Sequence, residues 1–209
     1  MAHSSIDLLL IAADNALRTL AGRVVAGRPT PGHDTTHAMI ESDRRHSAGL
    51  MRVNHAGEIC AQALYAGQAL VARDAKVREA LEHAGAEERD HLAWCAERLA
   101  ALDSRPSMLD PLWYAGSFAL GVASGIAGDR WSLGFLVETE RQVEHHLDGH
   151  LEQMPAADEA SRAVVLQMRE DEIRHGRSGE ALGAEPLPFV MRMAMRLAST
   201  VMTRSAYRM

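Results

Sequence analysis

Apolar positions recur at steps of three and four residues along four long segments of the chain. This spacing places the apolar side chains on one face of an α-helix. The segments cover about residues 42–74, about 75–102, a stretch around 133–147 and about 158–182. Because each apolar face needs another face to bury it, the pattern predicts an all-α fold in which residues 42–182 form a four-helix bundle.

Two polar side chains interrupt the apolar face of the second segment without changing its spacing. The positions on this face are Val77, Leu81, Ala84, Glu88, His91, Cys95 and Leu99. The periodicity therefore directs Glu88 and His91 into the core. An ionised carboxylate inside a bundle is costly unless another charge or a metal compensates it, so the pair requires a partner there.

The other three segments show the same interruption of an apolar face by polar groups. The positions are Met51, Glu58, Gln62 and Tyr65 in the first, Leu133, Val137, Glu140, Val143 and Leu147 in the third, and Ser161, Val164, Met168, Glu172, His175, Gly179 and Leu182 in the last. Each predicted helix thus places one or two metal-binding groups within a core face. Solvated runs of charge do not produce this coincidence.

These polar groups form one unit twice: a single Glu followed by a Glu-x-x-His. The step from Glu58 to Glu88 is 30 residues, and that from Glu140 to Glu172 is 32. Glu and His three apart share a helix face, so each Glu-x-x-His offers two ligands, and each single Glu completes the shell from a neighbouring helix. The predicted metal ligands are Glu58, Glu88, His91, Glu140, Glu172 and His175.

This ligand set is that of a carboxylate-bridged di-iron centre. In this interpretation Glu88 and Glu172 bridge two metal ions, whereas Glu58 and Glu140 are terminal ligands, one per ion. Carboxylate-rich shells with one imidazole per metal suit iron or manganese and leave positions open for oxygen. Structural zinc sites favour Cys and His instead.

Several residues near these motifs are expected to support the site or the helix packing rather than to bind the metal. His145, His146 and His150 indicate a partly exposed helix face, with His146 a candidate to orient a ligand. Tyr65 is a candidate hydrogen-bond donor to the site and equally a core aromatic residue. Gly57 costs the first helix about 1 kcal/mol relative to alanine, and we expect it to permit close packing.

Two further polar residues are expected to lie outside the ligand shell. His55 precedes Glu58 by three residues, which reverses the order of the Glu-x-x-His unit. Glu144 follows Glu140 by one helical turn, and a solvated role is expected for it. The predicted ligand set therefore remains the six residues named above.

Three segments flank the predicted bundle. Residues 5–25 predict an amphipathic helix that packs on the domain or lies on a membrane surface, and residues 27–32 predict a linker. The uncharged segment 111–128 predicts a buried or interfacial helical hairpin rather than a bilayer crossing. Residues 190–209 carry four arginines and no acid. This tail favours either binding to anionic headgroups or a capping helix whose arginines face water.

Composition narrows the classes of protein. The 209 residues fit one domain, divided into an N-terminal helix and linker (1–41), the bundle and a tail (183–209). The 22 basic and 28 acidic residues give a net charge of −6, which argues against nucleic-acid binding. Cys60 and Cys95 form no Cys-x-x-Cys pattern, so we expect small buried thiols rather than a disulfide framework. No export signal is recognisable, and a cytoplasmic location is expected.

Five motifs spread along the chain resemble those of a known family. They are RVNHAGE at 52–58, YAGQ at 65–68, EERDHL at 87–92, TERQV at 139–143 and DEIRHG at 171–176. The family is the demethoxyubiquinone hydroxylases, ferritin-like di-iron monooxygenases of ubiquinone biosynthesis. The closing residues, 201–208, resemble its bacterial branch.

The resemblance implies a fold and a reaction. The fold is a ferritin-like four-helix bundle with an added N-terminal amphipathic helix, an apolar helical segment between its second and third helices, and a basic C-terminal helix. Two iron ions per chain, Fe²⁺ in the reduced state, are implied, and the six ligands are implied to be catalytic. The implied reaction transfers one oxygen atom from dioxygen to ring C5 of 2-polyprenyl-3-methyl-6-methoxy-1,4-benzoquinol.

A polyprenyl substrate resides in the bilayer, which gives the apolar segment and the basic tail a shared purpose. We therefore expect a peripheral protein at an anionic membrane surface, on the cytoplasmic side of the cell inner membrane. A second copy of the chain and other ubiquinone-biosynthesis proteins are candidate partners.

Two alternative functions remain open at the level of sequence. A ferritin-like ferroxidase or iron-storage protein would use the same ligands, but it needs cage-forming soluble surfaces. A metal-free helical interaction module would leave six polar groups unpaired in core faces, which is energetically costly.

Overall fold

The structure, a computed structural model, describes residues 5–21, 24–33 and 38–209, and these ranges contain seven α-helices and no strand. The all-α prediction is confirmed. The helices are α1 (Ser5–Ala21), α2 (Glu41–Val71), α3 (Ala75–Ala101), α4 (Asp110–Ala127), α5 (Asp129–Gln153), α6 (Glu159–Ala181) and α7 (Phe189–Arg208).

Four of these helices form the bundle, and their bounds agree with the periodicity to within a few residues. Helices α2 and α3 pack as one antiparallel pair and α5 and α6 as another, and the two pairs meet through α3 with α6 and α2 with α5. Aspartates begin two of the helices, where the Asp74 side chain accepts a hydrogen bond from Lys76 N and Asp158 accepts one from Ser161 N. Such caps satisfy amide groups that have no partner within the helix.

The bundle core is apolar at two levels, with a polar layer between them. Met51 and Leu99 belong to one buried cluster, and Leu64 and Leu81 belong to another. Along α3 the polar positions fall between Leu81 and Leu99, and along α2 Glu58 falls between Met51 and Leu64. The predicted ligands are therefore enclosed above and below by close-packed hydrocarbon, which excludes water.

Helix α4 corrects the prediction of a hairpin over residues 111–128. The segment is one continuous helix that ends at Ala127, and Gly128, with a φ of 133°, makes the turn into α5. Its glycines serve packing rather than turning: a Cβ on Gly121 would collide with the carbonyl oxygen of Leu64, and a Cβ on Gly125 would collide with Val71. The absent side chains let α4 approach the backbone of α2 closely.

Across the described ranges, no helix combines the length and the apolar character that crossing a membrane requires.

Helix α1 ends at Ala21, earlier than predicted, and only part of its apolar face is covered. Ala16 packs against the bundle, and Thr19 is buried with its hydroxyl donating to Gln62 Oε1 at 3.0 Å. Leu17 and Leu20 are exposed. Leu9, which also belongs to the predicted apolar face, has its side chain outside the described part of the structure. The helix is therefore attached to the domain while still presenting apolar side chains to its surroundings.

Helix α7 confirms the predicted C-terminal helix and packs on α2 through its last turns. Ala206 is fully buried, and the ring of Tyr207 lies against Gly49, where a Cβ would meet it at 2.5 Å. Arg52 Nη1 donates to the carbonyl oxygen of Tyr207 at 3.0 Å. The tail is thus a docked helix rather than a free extension.

We expect Gly121→Ala to lower the free energy of unfolding by about 1–3 kcal/mol, because the new methyl group forces α4 away from α2. Chemical denaturation measures this change. The matched control is Gly116→Ala, since a Cβ there meets nothing within 4 Å. That substitution should be neutral or stabilise α4 by up to about 1 kcal/mol. Equal effects of the two substitutions would contradict the proposed close approach.

Candidate metal centre

All six predicted ligands meet in the polar layer of the bundle, and all six are buried. They form two groups of four whose ligand atoms lie within 4.8 Å of one another. Both groups contain the same two carboxylates, Glu88 and Glu172. The first adds Glu58 and His91, and the second adds Glu140 and His175.

The distances show how the two groups share their carboxylates. His91 Nδ1 lies 2.9 Å from Glu88 Oε2 and 3.5 Å from Glu172 Oε1. His175 Nδ1 lies 3.2 Å from Glu88 Oε1 and 3.5 Å from Glu172 Oε2. Each of these carboxylates therefore turns one oxygen towards each imidazole, as a bridging ligand would.

The other two glutamates each serve one side of the cluster. Glu58 Oε2 lies 3.7 Å from His91 Nδ1, and Glu140 Oε1 lies 3.7 Å from His175 Nδ1. Glu140 also accepts a hydrogen bond from the hydroxyl of Tyr65 on α2. This contact supports Tyr65 as a donor to the site while it also serves as a buried core residue. The arrangement agrees with one terminal carboxylate per metal position.

Two carboxylates outside this shell orient the imidazoles, and the helical spacing does not predict this role for either of them. His91 Nε2 lies 2.9 Å from Asp171 Oδ2, and His175 Nε2 lies 2.7 Å from Glu87 Oε2. The support is reciprocal between the two Glu-x-x-His units. Asp171, which precedes Glu172, contacts the histidine of the first unit, and Glu87, which precedes Glu88, contacts the histidine of the second. An Nε2–H that donates to a carboxylate leaves Nδ1 free to bind a metal.

A signal for these residues was present in the sequence. Both Glu-x-x-His units are preceded directly by an acid, Glu87 in one and Asp171 in the other. A single acid beside a ligand resembles an ordinary surface charge. Its repetition at the same offset in both units is the feature that distinguishes it.

Electrostatics divide the carboxylates into two kinds. Burial, followed by the charge of Glu88, holds the pKa of Glu58 well above its usual range, and burial with the charge of Glu172 does the same for Glu140. Burial would also raise the pKa of Glu88, but the His91 charge and polar contacts with both imidazoles hold it well below. Among Glu58, Glu88 and Glu140, the shared carboxylate Glu88 is thus the most readily ionised.

The imidazoles respond in the opposite sense. Burial alone would lower the pKa of His175, but polar contacts with Glu172 and Glu88 raise it to about 12. Burial acts the same way on His91, and the charge of Glu88 leads the effects that raise its pKa. The carboxylates around the two imidazoles therefore favour the protonated form of both.

The residues fit a pair of divalent metal ions. Four ionised carboxylates and two neutral imidazoles carry a charge of −4, which two divalent cations would neutralise. Within the described ranges, four buried potential ligand atoms of the cluster make no hydrogen bond of good geometry, although they lie close to one another: Glu58 Oε2, Glu88 Oε1, Glu172 Oε2 and His175 Nδ1. Buried polar atoms of this kind normally have a partner, and a metal ion would supply one.

An apolar cavity of about 330 Å³ adjoins the cluster on the Glu58 side. Its wall is formed by α2, α4, α5 and α7. It includes the exposed residues Gly116, Leu120 and Ala198, so the cavity reaches the surface between α4 and α7. Besides Glu58 and several hydroxyl side chains, the polar residues in the wall are Asn54, Gln142 and His146.

The cavity also corrects the role expected for Gly57. A Cβ at this position would meet nothing within 4 Å, so Gly57 does not permit a close helix contact. It lines the cavity beside Glu58 instead, where the missing side chain leaves space. Helical spacing located this glycine correctly but could not tell a packed face from an open one.

The histidines of α5 are less exposed than expected. His145 is exposed, but His150 is buried, and its ring centroid lies 3.9 Å from that of His146 in the cavity wall. Burial lowers the pKa of His146 to about 4 and that of His150 to about 3, so both imidazoles are neutral. The acids beside the two Glu-x-x-His units, rather than His146, support the predicted ligands.

Other residues set aside at the sequence level lie outside the cluster. His55 Nδ1 lies 3.2 Å from Asp110 Oδ2, and Glu144 faces Arg169 at 3.8 Å. Neither belongs to the two groups of ligand atoms. Burial raises the pKa of the Cys60 thiol to about 11, which fits an unreactive residue.

The chain is a ferritin-like helix bundle, and its core holds two carboxylate–imidazole groups, each of which could hold a metal ion. Residues 45–206 match the family described as "Ubiquinone biosynthesis protein COQ7", and the chain belongs to this family.

Curated relatives agree with the family assignment over nearly the whole chain. A protein of Ralstonia pickettii is 55% identical over 97% of this chain and 99% of its own length. One of Bordetella avium is 58% identical over 98% and 95%, and one of Xanthomonas axonopodis pv. citri is 56% identical over 99% and 96%. Each of the three is named 3-demethoxyubiquinol 3-hydroxylase. The resemblance to the bacterial branch is thereby confirmed.

The shared carboxylates lead to a prediction about metal stoichiometry. Glu88→Ala should reduce binding at both metal positions, because Glu88 faces both imidazoles, whereas Glu58→Ala should affect mainly one. Metal content after anaerobic loading with Fe²⁺ and removal of free metal measures the difference. The control is Glu144→Ala, which removes a carboxylate outside the cluster and should leave metal content unchanged. Equal metal loss in the Glu88 and Glu58 variants would contradict the bridging role.

Proposed function

We propose that this chain is a di-iron monooxygenase of ubiquinone biosynthesis, a 3-demethoxyubiquinol hydroxylase. Its substrate is a 2-polyprenyl-3-methyl-6-methoxy-1,4-benzoquinol, which it hydroxylates at ring C5 with dioxygen. The observation that carries the proposal is the apolar cavity that runs from the surface between α4 and α7 to Glu58 at the edge of the ligand cluster. The name shared by the relatives supports the same substrate.

The cavity matches the chemistry of such a substrate. A quinol ring is flat and largely apolar, with a few oxygen substituents that need hydrogen-bond partners. A mostly apolar wall with isolated polar groups is the usual form of a site for this type of ligand. Asn54, Gln142 and His146 are the candidates to orient the ring, and the neutral His146 can either donate or accept.

The proposed ligands would be Glu58, Glu88 and His91 with Glu140, Glu172 and His175, Glu88 and Glu172 being shared. When bound, two Fe²⁺ ions would supply the electrons and the binding positions that activate dioxygen. Asp171 and Glu87 hold the imidazoles in the orientation that presents Nδ1 to the cluster. Tyr65 stays protonated, because burial and the charge of Glu140 raise its pKa well above the usual range, and it fixes Glu140 by donating to it.

The exposed surfaces of α4 and α7, the two helices beside the cavity mouth, are suited to a membrane. Helix α4 exposes Leu112, Leu120 and Ile126 on a helix that is uncharged from its second residue onwards. Helix α7 exposes further apolar side chains next to arginines: Phe189, Val190, Met193, Leu197 and Val201 with Arg196, Arg204 and Arg208. Exposed apolar and basic groups together favour an anionic lipid surface.

We therefore propose peripheral association with the cytoplasmic side of the cell inner membrane. In this position the polyprenyl tail would remain in the lipid while the ring enters between α4 and α7. The bundle, both terminal helices and α4 would act as one domain. Further contacts with a second copy of the chain or with other ubiquinone-biosynthesis proteins belong to the same proposal.

Product analysis tests the proposed reaction. The iron-loaded protein, chemically reduced and mixed with a short-chain demethoxy quinol and ¹⁸O₂, should give a quinol that carries one ¹⁸O atom in its new hydroxyl group. Mass spectrometry detects this product. Consumption of dioxygen with accumulation of ferric iron, but without hydroxylated quinol, would instead support a ferroxidase or iron-storage protein.

Gly57 provides a test of the cavity itself. Gly57→Leu should fill the space beside Glu58 and lower kcat/KM for the quinol by about tenfold or more, since mismatches of one or a few methyl groups cost this much in apolar pockets. Gly57→Ala is the matched control and should retain most activity. Both variants should keep the iron content of the unmodified protein. Full activity in the leucine variant would place the substrate elsewhere.

Vesicle flotation tests the membrane surface. Reversing Arg196 and Arg204 to Glu should release the protein from vesicles that contain anionic lipid, because each arginine near the surface contributes about 1 kcal/mol. The matched control reverses Arg177, an exposed arginine on α6. Leu120→Glu should weaken binding to neutral and anionic vesicles alike. If neither α7 nor α4 variants change flotation, the proposed surface is wrong.

A further inference from the structure

The segment that follows α1 is more than a linker. Residues 24–33, here called the N-terminal strap, lie against α3 and α6 through specific contacts. Gly27 N donates to Asp90 Oδ1 at 2.6 Å, and Thr30 Oγ1 donates to Glu97 Oε2 at 2.6 Å. Gly32 sits so close to α6 that a Cβ would lie 2.9 Å from the Cβ of Ala163. The strap therefore has a defined path over two helices that carry predicted ligands.

Arg28 is the residue of the strap that faces the bundle. Its Nε donates to Asp90 Oδ2 on α3 at 2.6 Å, and its Nη1 donates to Asp171 Oδ2 on α6 at 2.8 Å. The guanidinium group also lies 4.8 Å from the ring centre of Trp94, whose Nε1 donates to the Arg28 carbonyl oxygen. One side chain thus joins two helices through two carboxylates.

The contact with Asp171 extends to the ligand cluster. Oδ2 of Asp171 accepts from Arg28 and lies 2.9 Å from His91 Nε2, while Oδ1 accepts from Gln167 and Arg174. Asp171 is completely buried, so its charge requires these donors. Arg28 therefore fixes the same oxygen that orients His91.

The corresponding support of His175 is built differently. Its partner Glu87 is 23% exposed, and the arginine that contacts Glu87, Arg174, is 50% exposed. Water can hydrate the partly exposed Glu87 if Arg174 moves away. Asp171 has no exposed surface and depends on protein donors, although two of them, Arg28 at 35% and Arg174 at 50%, are themselves partly exposed. The carboxylate that orients His91 is thus more deeply buried than the one that orients His175, although the shell of predicted ligands is nearly symmetric.

We propose that Arg28 is a positioning residue for one metal position only. It locks Asp171 against His91 Nε2 and so directs His91 Nδ1 towards the ligand cluster. The position next to His91 then binds a divalent transition metal in a manner that depends on the strap, and the position next to His175 does not. This inference rests on the proposed metal centre.

The test is an anaerobic titration of the metal-free full chain with Co²⁺, followed by visible absorption and by bound metal per chain. Arg28→Met keeps most of the side-chain volume over Trp94 but removes both hydrogen bonds. It should weaken one of two binding steps about 10–100-fold, the usual effect of removing support from behind a ligand, and leave the other unchanged. Arg28→Lys should give a Co²⁺ affinity between those of the unmodified protein and Arg28→Met at this step, because lysine keeps the charge but lacks the planar guanidinium group.

Three comparisons separate positioning from a general structural role. Arg89→Met is the matched control, since this exposed arginine of α3 donates to the carbonyl oxygen of Gly85 in its own helix, and the variant should bind Co²⁺ normally. In a His91→Ala background, Arg28→Met should have no further effect on the remaining step. In a His175→Ala background, it should keep its full effect on the step that remains.

Several outcomes would overturn the inference. Equal weakening of both steps, or an undiminished effect of Arg28→Met in the His91→Ala background, would show that Arg28 acts on the whole bundle. Unchanged Co²⁺ binding in Arg28→Met would overturn the positioning role and leave the metal centre intact. Failure of the unmodified protein to bind Co²⁺ would overturn the metal centre itself. If Arg28→Met does not fold, as judged by circular dichroism, Arg28→Lys decides the same comparison.

Discussion

The burial of four carboxylates at the centre of a helix bundle is the constraint on which the rest of the structure depends. Each ionised group removed from water costs several kcal/mol unless opposite charge and hydrogen bonds compensate it. The two imidazoles supply part of this compensation, because the neighbouring carboxylates raise the pKa of both His91 and His175. Apolar clusters on either side of the layer maintain the low dielectric that makes this compensation necessary.

The fold and the ligand set could be predicted because both depend on helical spacing. Glu88 and His91 continue an apolar face, and a polar residue at such a position must be buried. The partners of the histidines could not be predicted in this way. Asp171 is 80 residues from His91, and the contact exists only because α3 and α6 pack at that level. The role of Arg28 is even harder to predict from the sequence, because Arg28 lies in a segment without periodicity and its two partners are on different helices.

Glycine gave the clearest disagreements between sequence and structure, because the absence of a side chain serves several purposes. In α4, Gly121 lies within the segment that the sequence predicts as a hairpin, and it provides a close approach to α2 instead. In α2, the sequence predicts close packing at Gly57, but this residue borders a cavity. The residue type indicates that a Cβ would be disadvantageous. Only the three-dimensional surroundings show whether the cause is backbone geometry, a neighbouring helix or space for a ligand.

The repeated unit produces a nearly symmetric shell of predicted ligands within asymmetric surroundings. Glu58 borders the apolar cavity, whereas its counterpart Glu140 accepts a hydrogen bond from the buried Tyr65. Under the proposed function, substrate approaches from the Glu58 side, which is also the side of His91. That histidine has the more deeply buried support, through Asp171. The metal position exposed to substrate would therefore be the one whose ligand is held most firmly. This combination is physically consistent, because a position that faces an open cavity has fewer packing contacts to hold its ligands in place and relies more on hydrogen bonds from behind.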